Sequence, residues 1–131
     1  MISLNEGIAV DAAHSTKNKK TEFQGIDLKT GKCIFYDDLG NQTINIGEFV
    51  AIVEAAKYIV EHDFKPRIIY SDSLTAISWF KEKRTASGKR NKHLMKAEVY
   101  LKACDIYLEG IEVRHWNSKK WGENPADFGN K

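Results

Sequence analysis

The chain has 131 residues, of which 42% are hydrophobic and 29% charged, and its formal net charge is +2. These values predict one soluble globular domain, residues 1–131, that buries a single core of its own. The N-terminus has no basic start followed by a long apolar run, so we expect neither a signal peptide nor a membrane anchor, and a cytoplasmic location. Cys33 and Cys104 lie far apart without C-x-x-C spacing, which favours two buried free thiols over a disulfide scaffold or a zinc site.

The apolar and turn residues predict, in chain order, a strand, a β-hairpin, a long helix, a strand, two helices, a strand and a short final helix. Their ranges are 7–14, 21–28 with 32–36, 46–62, 67–71, 73–83, 92–109, 111–116 and 123–128. Antiparallel strands followed by strands that alternate with helices predict an α/β fold with a mixed sheet flanked by helices.

One segment of the chain is strongly basic. Between Lys81 and Lys96 there are seven basic residues, and Glu82 is the only acid among them. A basic segment on an otherwise acidic body is typical of a contact with a polyanion such as nucleic acid. A solvated loop and helix face explains the same residues equally well, so composition alone leaves both interpretations open.

Four acidic residues stand at special places in this layout. Asp11 lies inside the first apolar strand on the same face as Ala9, Asp72 ends the fourth strand, Glu48 lies in the first turn of the long helix, and Asp127 lies on the final helix. Carboxylates that converge repel one another and require a cation. Oxygen ligands select hard ions such as Mg²⁺, and two such ions suit phosphodiester cleavage.

Each acid also has a structural explanation. Asn45 as N-cap and Glu48 three residues later match a capping box, Asp72 is placed to cap the helix that follows it, and Asp127 lies near a helix start. Asp11 is harder to explain in this way, because an acid inside an apolar strand is costly unless it is paired. From spacing alone, two interpretations therefore remain: the four acids form a metal site, or Glu48, Asp72 and Asp127 are capping or surface acids.

Four segments of the sequence resemble ribonuclease H of the bacterial type 1 class: IAVDAAHST, TINIGEFVAIVEAAKY, IIYSDSLTAISWFK and KWGENPADFGNK. They occur in the family's order, and the last is similar to the motif W-G-E-x-x-A-D-[FY]-G-x-K of one subgroup. The resemblance implies a ribonuclease H-like fold with a five-stranded mixed sheet flanked by helices. It also implies an endonuclease that hydrolyses the RNA strand of an RNA–DNA hybrid.

The resemblance assigns roles to particular residues. It implies that two Mg²⁺ ions, or Mn²⁺, are held by Asp11, Glu48, Asp72 and Asp127, one ion activating a water and the other stabilising the leaving 3′ oxygen. It adds Glu123, one helical turn before Asp127, as a catalytic acid. It also adds Lys131 beside the scissile phosphate. A helix-terminus acid and a frayed last residue are the structural alternatives for these two positions.

The same resemblance implies a set of contacts to the hybrid duplex, through the 2′-hydroxyls of the RNA strand and the phosphates and sugars of the DNA strand. The residues implied are Thr43, Asn45, Trp79, Ser87, Lys89 and Arg90. The alternatives are a helix cap for Asn45, turn positions for Thr43 and Ser87, and core packing for Trp79. The sequence departs from the family pattern at Ile44, Leu74 and Gly88, where relatives have polar residues. Substrate binding is therefore expected to differ from that of the relatives.

Two other functions remain open from the sequence. A non-catalytic nucleic-acid-binding domain would have the same fold, but the complete carboxylate set argues against it. A transposase or integrase-like enzyme would share the fold and metals, but we expect such enzymes to need large further DNA-binding regions. The sequence therefore favours a monomeric hybrid-cleaving nuclease.

Overall fold

The computed structural model describes residues 6–82, 92–103, 105–116 and 125–126. Five strands and four helices follow one another in these ranges. They are β1 (Ile8–Ser15), β2 (Lys20–Asp27), β3 (Cys33–Asp38), α1 (Ile44–His62), β4 (Ile68–Ser71), α2 (Leu74–Glu82), α3 (Lys92–Ala103), α4 (Asp105–Leu108) and β5 (Glu112–His115).

The strands form one five-stranded mixed sheet in the order β3-β2-β1-β4-β5. The hairpin strands β2 and β3 pair antiparallel, as do β1 and β2, whereas β4 is parallel to both β1 and β5. The parallel pairs arise because a helical connection returns the chain to the same end of the sheet before each new strand. The predicted α/β fold, a five-stranded mixed sheet flanked by helices, is confirmed.

The two faces of β1 serve different clusters of side chains. Ile8, Val10 and Ala12 belong to the main core, which α1 covers. Ala9 belongs to a smaller cluster on the opposite face, together with Tyr70 and Trp116. This alternation follows from the two-residue period of a strand. It places Asp11 on the face of Ala9, as predicted, away from the apolar core.

The long helix begins two residues earlier than the sequence predicts. Thr43 is its N-cap, and the Thr43 hydroxyl accepts a hydrogen bond from the backbone N–H of Ile46 at 3.4 Å. The alternative interpretation of Asn45 as N-cap is therefore excluded, because the side-chain oxygen that caps the helix belongs to Thr43 and Asn45 lies in the first turn. At the other end Asp63 adopts a left-handed conformation with φ of 47°, and its N–H bonds to the carbonyl of Ile59.

Several other expectations from sequence are corrected or fall outside the described part of the chain. Within the helix predicted over 92–109, residues 92–103 (α3) and 105–108 (α4) are helical, and Cys104, predicted to be a buried thiol, lies outside the described residues. Cys33 is exposed at the start of β3, so the prediction that it is buried is wrong. Within the predicted helix 123–128 only residues 125 and 126 are described, and they form a turn. None of the described helices is long and apolar enough to cross a membrane.

Candidate metal centre

Three of the predicted carboxylates converge at one point of the sheet. Asp11, Glu48 and Asp72 each offer one carboxylate oxygen, and these three oxygens lie within 4.8 Å of one another. Asp11 and Glu48 are buried, with 8% and 5% of their surfaces exposed, and Asp72 is exposed. The cluster therefore has a buried base and one side that solvent or a ligand reaches.

The strand register explains why Asp11 and Asp72 meet. In the parallel pair β1 and β4, Ala9 is the partner of Tyr70. Two further steps along both strands bring Asp11 level with Asp72, just beyond the last residue of β4. The end of a parallel strand at which a helix begins is a common place for a ligand site in an α/β sheet.

Glu48 reaches the same point from α1. Its Oε1 atom accepts a hydrogen bond from the backbone N–H of Ala12 at 2.5 Å, which ties the side chain to β1 immediately beside Asp11. The capping-box interpretation of Glu48 is excluded by this contact and by the N-cap position of Thr43. The capping interpretation of Asp72 is also weakened, because Ser73 Oγ accepts the hydrogen bond from the N–H of Ala76 at the start of α2.

The electrostatics of the cluster disfavour the ionised form of Glu48. Burial raises the pKa of Glu48 to about 10, and the hydrogen bond with Asp11 and the negative charges of Asp11 and Asp72 act in the same direction. The Ala12 N–H acts in the opposite direction and does not offset them. Three neighbouring carboxylates do not all ionise at neutral pH unless a cation compensates them. The donor set consists of oxygen atoms alone, which fits a hard divalent ion.

The remaining predicted acids and Lys131 lie outside the described residues. These are Asp127, Glu123 and Lys131. The residue just before Asp127 is described, however. The Nε2 atom of Gln24 donates a hydrogen bond of 2.6 Å to the carbonyl oxygen of Ala126, and Ala126 is fully buried. Gln24 is the cross-strand partner of Asp11, so the chain passes beside the cluster at residue 126.

The described substrate-contact candidates lie at the start of α1 and within α2. Thr43 and Asn45 are exposed at the N-terminal end of α1, a few residues before Glu48. Trp79 is half-buried, and its ring contacts that of Phe49 edge to face with centroids 5.9 Å apart. Core packing thus accounts for part of the Trp79 surface and leaves part of it accessible. Ser87, Lys89 and Arg90 lie outside the described residues.

Two departures from the family pattern are described. Ile44 and Leu74 are the first residues of α1 and α2, and they expose 41% and 67% of their surfaces. Both are apolar and lie within four residues of Glu48 or Asp72 in the chain. They therefore make the surface near these acids less polar than the polar residues of the family pattern would. Their exposure agrees with positions that a ligand reaches rather than with core positions.

Sequence reasoning missed the contribution of Gln24. A polar residue on the second strand of a hairpin has no signal of its own. Its importance appears only from the register that places it opposite Asp11 and from its bond to Ala126.

The sheet order and the flanking helices, with an acidic cluster in the middle of β1 and just beyond β4, define a ribonuclease H-like fold. No protein-family model matches the sequence. Among solved structures the chain is similar to LC11-RNase H1, isolated from compost by a metagenomic approach, with a TM-score of 0.56, 13% identity, and 89% of this chain and 88% of that one covered.

Two further structures have the same arrangement. RNase H1 from the halophilic archaeon Halobacterium salinarum matches with a TM-score of 0.51 and 16% identity, over 92% of this chain and 91% of that one. LC11-RNase H1 in complex with an RNA/DNA hybrid matches with a TM-score of 0.50 and 13% identity, over 86% of each chain. At these identities the likeness establishes the fold.

Proposed function

We propose that this protein is a ribonuclease H that hydrolyses the RNA strand of RNA–DNA hybrids with two divalent metal ions. The observation that carries the proposal is the convergence of Asp11, Glu48 and Asp72 within 4.8 Å on a ribonuclease H-like sheet. A structural role does not explain why two buried acids are placed against a third one. A metal centre explains all three at once.

In the proposed reaction the chain holds and orients the metal ions, which are Mg²⁺ or Mn²⁺. Asp11 and Glu48 form the buried base of the centre, and the Ala12 N–H fixes one Glu48 oxygen so that the other side of the carboxylate is directed to the cluster. Asp72 closes the exposed side. Bound divalent ions supply a nucleophilic water at neutral pH and compensate the charge that develops on the leaving oxygen. The protein needs no nucleophile of its own.

We propose that Asp127 is the fourth metal ligand and that Glu123 and Lys131 act beside it. The position of Ala126 supports the first assignment. Its carbonyl is held by Gln24, the partner of Asp11, and Asp127 is the next residue in the chain. Consecutive Cα atoms are about 3.8 Å apart, so the anchored position of Ala126 supports the proposal that the next residue belongs to the cluster.

The hybrid duplex is proposed to lie across the N-terminal end of α1. Thr43 and Asn45 are exposed there, and the positive end of the helix dipole favours a phosphate. Trp79 offers an accessible part of its ring to the DNA sugars, and the basic segment with Ser87, Lys89 and Arg90 is proposed to bind DNA phosphates. The neighbouring LC11-RNase H1, which was solved with an RNA/DNA hybrid, has the same fold. We propose that residues 1–131 act as one monomeric catalytic domain in the cytoplasm.

The test is to incubate the protein with end-labelled RNA–DNA, RNA–RNA and DNA–DNA duplexes of one sequence, in Mg²⁺, in Mn²⁺ and in EDTA. The proposal predicts cleavage of the RNA strand of the hybrid alone, and only with a divalent ion. Hybrid binding without cleavage in either metal would instead support the non-catalytic nucleic-acid-binding domain. Cleavage of DNA–DNA would favour an integrase-like activity.

A further inference from the structure

Thr21, on β2, is fully buried and organises the loop that leads into α1. Its N–H donates to the carbonyl of Gly40 at 2.7 Å, and its carbonyl accepts from the N–H of Leu39 at 2.8 Å. Its hydroxyl donates to the carbonyl of Gln42 at 2.6 Å and accepts from the Gln42 N–H at 3.2 Å. Thr43, the N-cap of α1, is the next residue, so one side chain sets where the helix begins.

His14 completes this network from β1. Its Nδ1 lies 2.8 Å from the Thr21 hydroxyl oxygen. That hydroxyl has one hydrogen, which is directed to the carbonyl of Gln42, so His14 Nδ1 is the donor of this bond. His14 is exposed and three residues beyond Asp11 on the same strand. The network therefore joins β1, β2 and the entrance of α1 close to the metal centre.

The methyl group of Thr21 fixes the distance between β2 and the first turns of α1. A Cβ atom added at Gly47 would lie 2.7 Å from Thr21 Cγ2 and 3.1 Å from the Cβ of Ala12. A separation of 2.7 Å is too short for two carbon atoms, so only glycine permits this approach. Gly47 is adjacent to Glu48, whose carboxylate must reach the Ala12 N–H.

We propose that Thr21 is a positioning residue for the metal centre. Its hydroxyl holds Gln42, the residue before the α1 N-cap Thr43, and its methyl group sets the depth at which α1 packs. Together they bring Glu48 to Asp11. This inference rests on the proposed function, because it assigns Thr21 a purpose only if the carboxylates bind metal. Thr21 does not touch the metal or the substrate and acts through Glu48.

The first test compares Thr21→Val with Thr21→Ser. Valine keeps the shape and the methyl group and removes the hydroxyl, whereas serine keeps the hydroxyl. Mg²⁺ affinity is measured by calorimetry in the absence of substrate, and single-turnover hybrid cleavage is measured against Mg²⁺ concentration. For Thr21→Val we expect Mg²⁺ affinity to fall about 10- to 100-fold, the size typical for losing an outer partner of a metal ligand, with rate recovered at high Mg²⁺. Thr21→Ser keeps the hydroxyl and loses only the methyl contact with α1, so it should lose clearly less Mg²⁺ affinity than Thr21→Val.

The control for a loss of stability is Ile59→Val. Ile59 is fully buried near the opposite end of α1, and this change typically costs about 0.5–1.5 kcal/mol. It should lower the melting temperature and leave the Mg²⁺ dependence unchanged. If Thr21→Val has the Mg²⁺ affinity of wild type, or if Thr21→Ser loses as much affinity as Thr21→Val, the positioning role of the hydroxyl is refuted.

A second test needs no hydroxyl-free variant, so it applies even if Thr21→Val does not fold. Gly47→Ala introduces the Cβ that collides with Thr21 Cγ2, and Thr21→Ser removes that methyl group. We expect Gly47→Ala alone to lower Mg²⁺ affinity by about tenfold, since it moves Glu48 away from Asp11. The double variant should recover most of that loss. Additive effects in the double variant would contradict the proposed packing.

The two proposals fail in different ways. If wild type binds Mg²⁺ and Thr21→Val binds it more weakly, but wild type cleaves no hybrid, the nuclease proposal fails and the positioning role stands. If wild type cleaves hybrid and Thr21→Val has the same Mg²⁺ dependence, the nuclease proposal stands and the positioning role fails. A wild type that binds neither Mg²⁺ nor Mn²⁺ overturns both.

Discussion

The two ends of α1 belong to the same helix and serve different purposes. Near the C-terminal end Ile59 is fully buried in the apolar core, and the left-handed residue Asp63 closes the helix with a backbone hydrogen bond. The N-terminal end buries Glu48 beside Asp11, where burial and negative neighbours raise the pKa of Glu48 to about 10. The first end stabilises the fold, and the second holds charges whose burial is unfavourable. A cluster of residues that lowers the stability of the fold in this way is typical of a functional site.

The largest expected loss of activity is that of Asp72→Asn, in the acidic cluster at the N-terminal end of α1. The change removes one negative ligand and keeps the shape, so hybrid cleavage should fall by roughly three orders of magnitude, or ~4 kcal/mol, while hybrid binding remains. Asp63→Asn is the matched control, because it makes the same chemical change at the other end of α1, where asparagine tolerates the left-handed backbone. Turnover like wild type in Asp72→Asn would remove Asp72 from the metal centre.

Glu48→Gln should raise the stability of the metal-free protein at high pH and remove its stabilisation by Mg²⁺. In metal-free protein the raised pKa of Glu48 means that the folded state retains a proton that the unfolded state loses. Stability of the wild type should therefore decline as pH rises from the ordinary glutamate value of 4.5 towards about 10, by at most about 1.4 kcal/mol per pH unit. Glutamine does not titrate, so this decline should be absent in the variant.

The measurement is urea unfolding in EDTA at pH 5, 7 and 9 for wild type and Glu48→Gln. At pH 9 the variant should be the more stable protein, and added Mg²⁺ should stabilise wild type but not the variant. Parallel pH profiles for the two proteins would mean that Glu48 is not held in its protonated form.

Glu123→Gln tests a residue outside the described part of the chain. If Glu123 acts at the metal centre, the variant should lose at least about tenfold in single-turnover rate, which is 1.4 kcal/mol, with partial rescue at high Mg²⁺. If it is only a helix-terminus acid, stability should change by a few tenths of a kcal/mol and the rate should not change. Superimposable Mg²⁺ curves for the two proteins would limit the centre to four carboxylates.

The smallest expected effect concerns the basic segment. Neutralising Lys89, Arg90 and Lys92 together should weaken hybrid binding and reduce the slope of log affinity against log salt by up to about one per lost phosphate contact. Hybrid affinity at several salt concentrations gives that slope. The same slope in the variant and in wild type would place the segment away from the substrate.

Strand alternation and helical spacing predicted the sheet well, because they are local signals, whereas the assignment of the acids to a metal site came from the family resemblance. Asp11 illustrates the local signal: the two-residue period alone assigned it to the face of Ala9. The start of α1 was placed too late, because Asn45 and Glu48 imitate a capping box while Thr43 caps the helix. Because Thr43 is the N-cap, Glu48 is not a capping acid and is instead a buried candidate for a metal ligand.

The partners of the site were beyond sequence reasoning. Gln24 and Thr21 matter through cross-strand register and through a loop that folds back onto β2, neither of which is a local pattern. Likewise, the apolar type of Cys33 suggested burial, but its position at the start of β3, the edge strand of the sheet, leaves it exposed. Tertiary packing determines the contacts and the exposure of such residues, and secondary-structure propensity does not predict them.

The most direct test of the central claim is a calorimetric titration of metal-free protein with Mg²⁺ at pH 7.5, in two buffers that differ in ionisation enthalpy. If Asp11, Glu48 and Asp72 form a metal centre, Mg²⁺ should bind to wild type and displace close to one proton, because the ion takes the place of the proton on Glu48. Asp72→Asn should bind far more weakly, and Asp63→Asn should behave as wild type. Binding that releases no proton, or equal binding by all three proteins, would contradict the account.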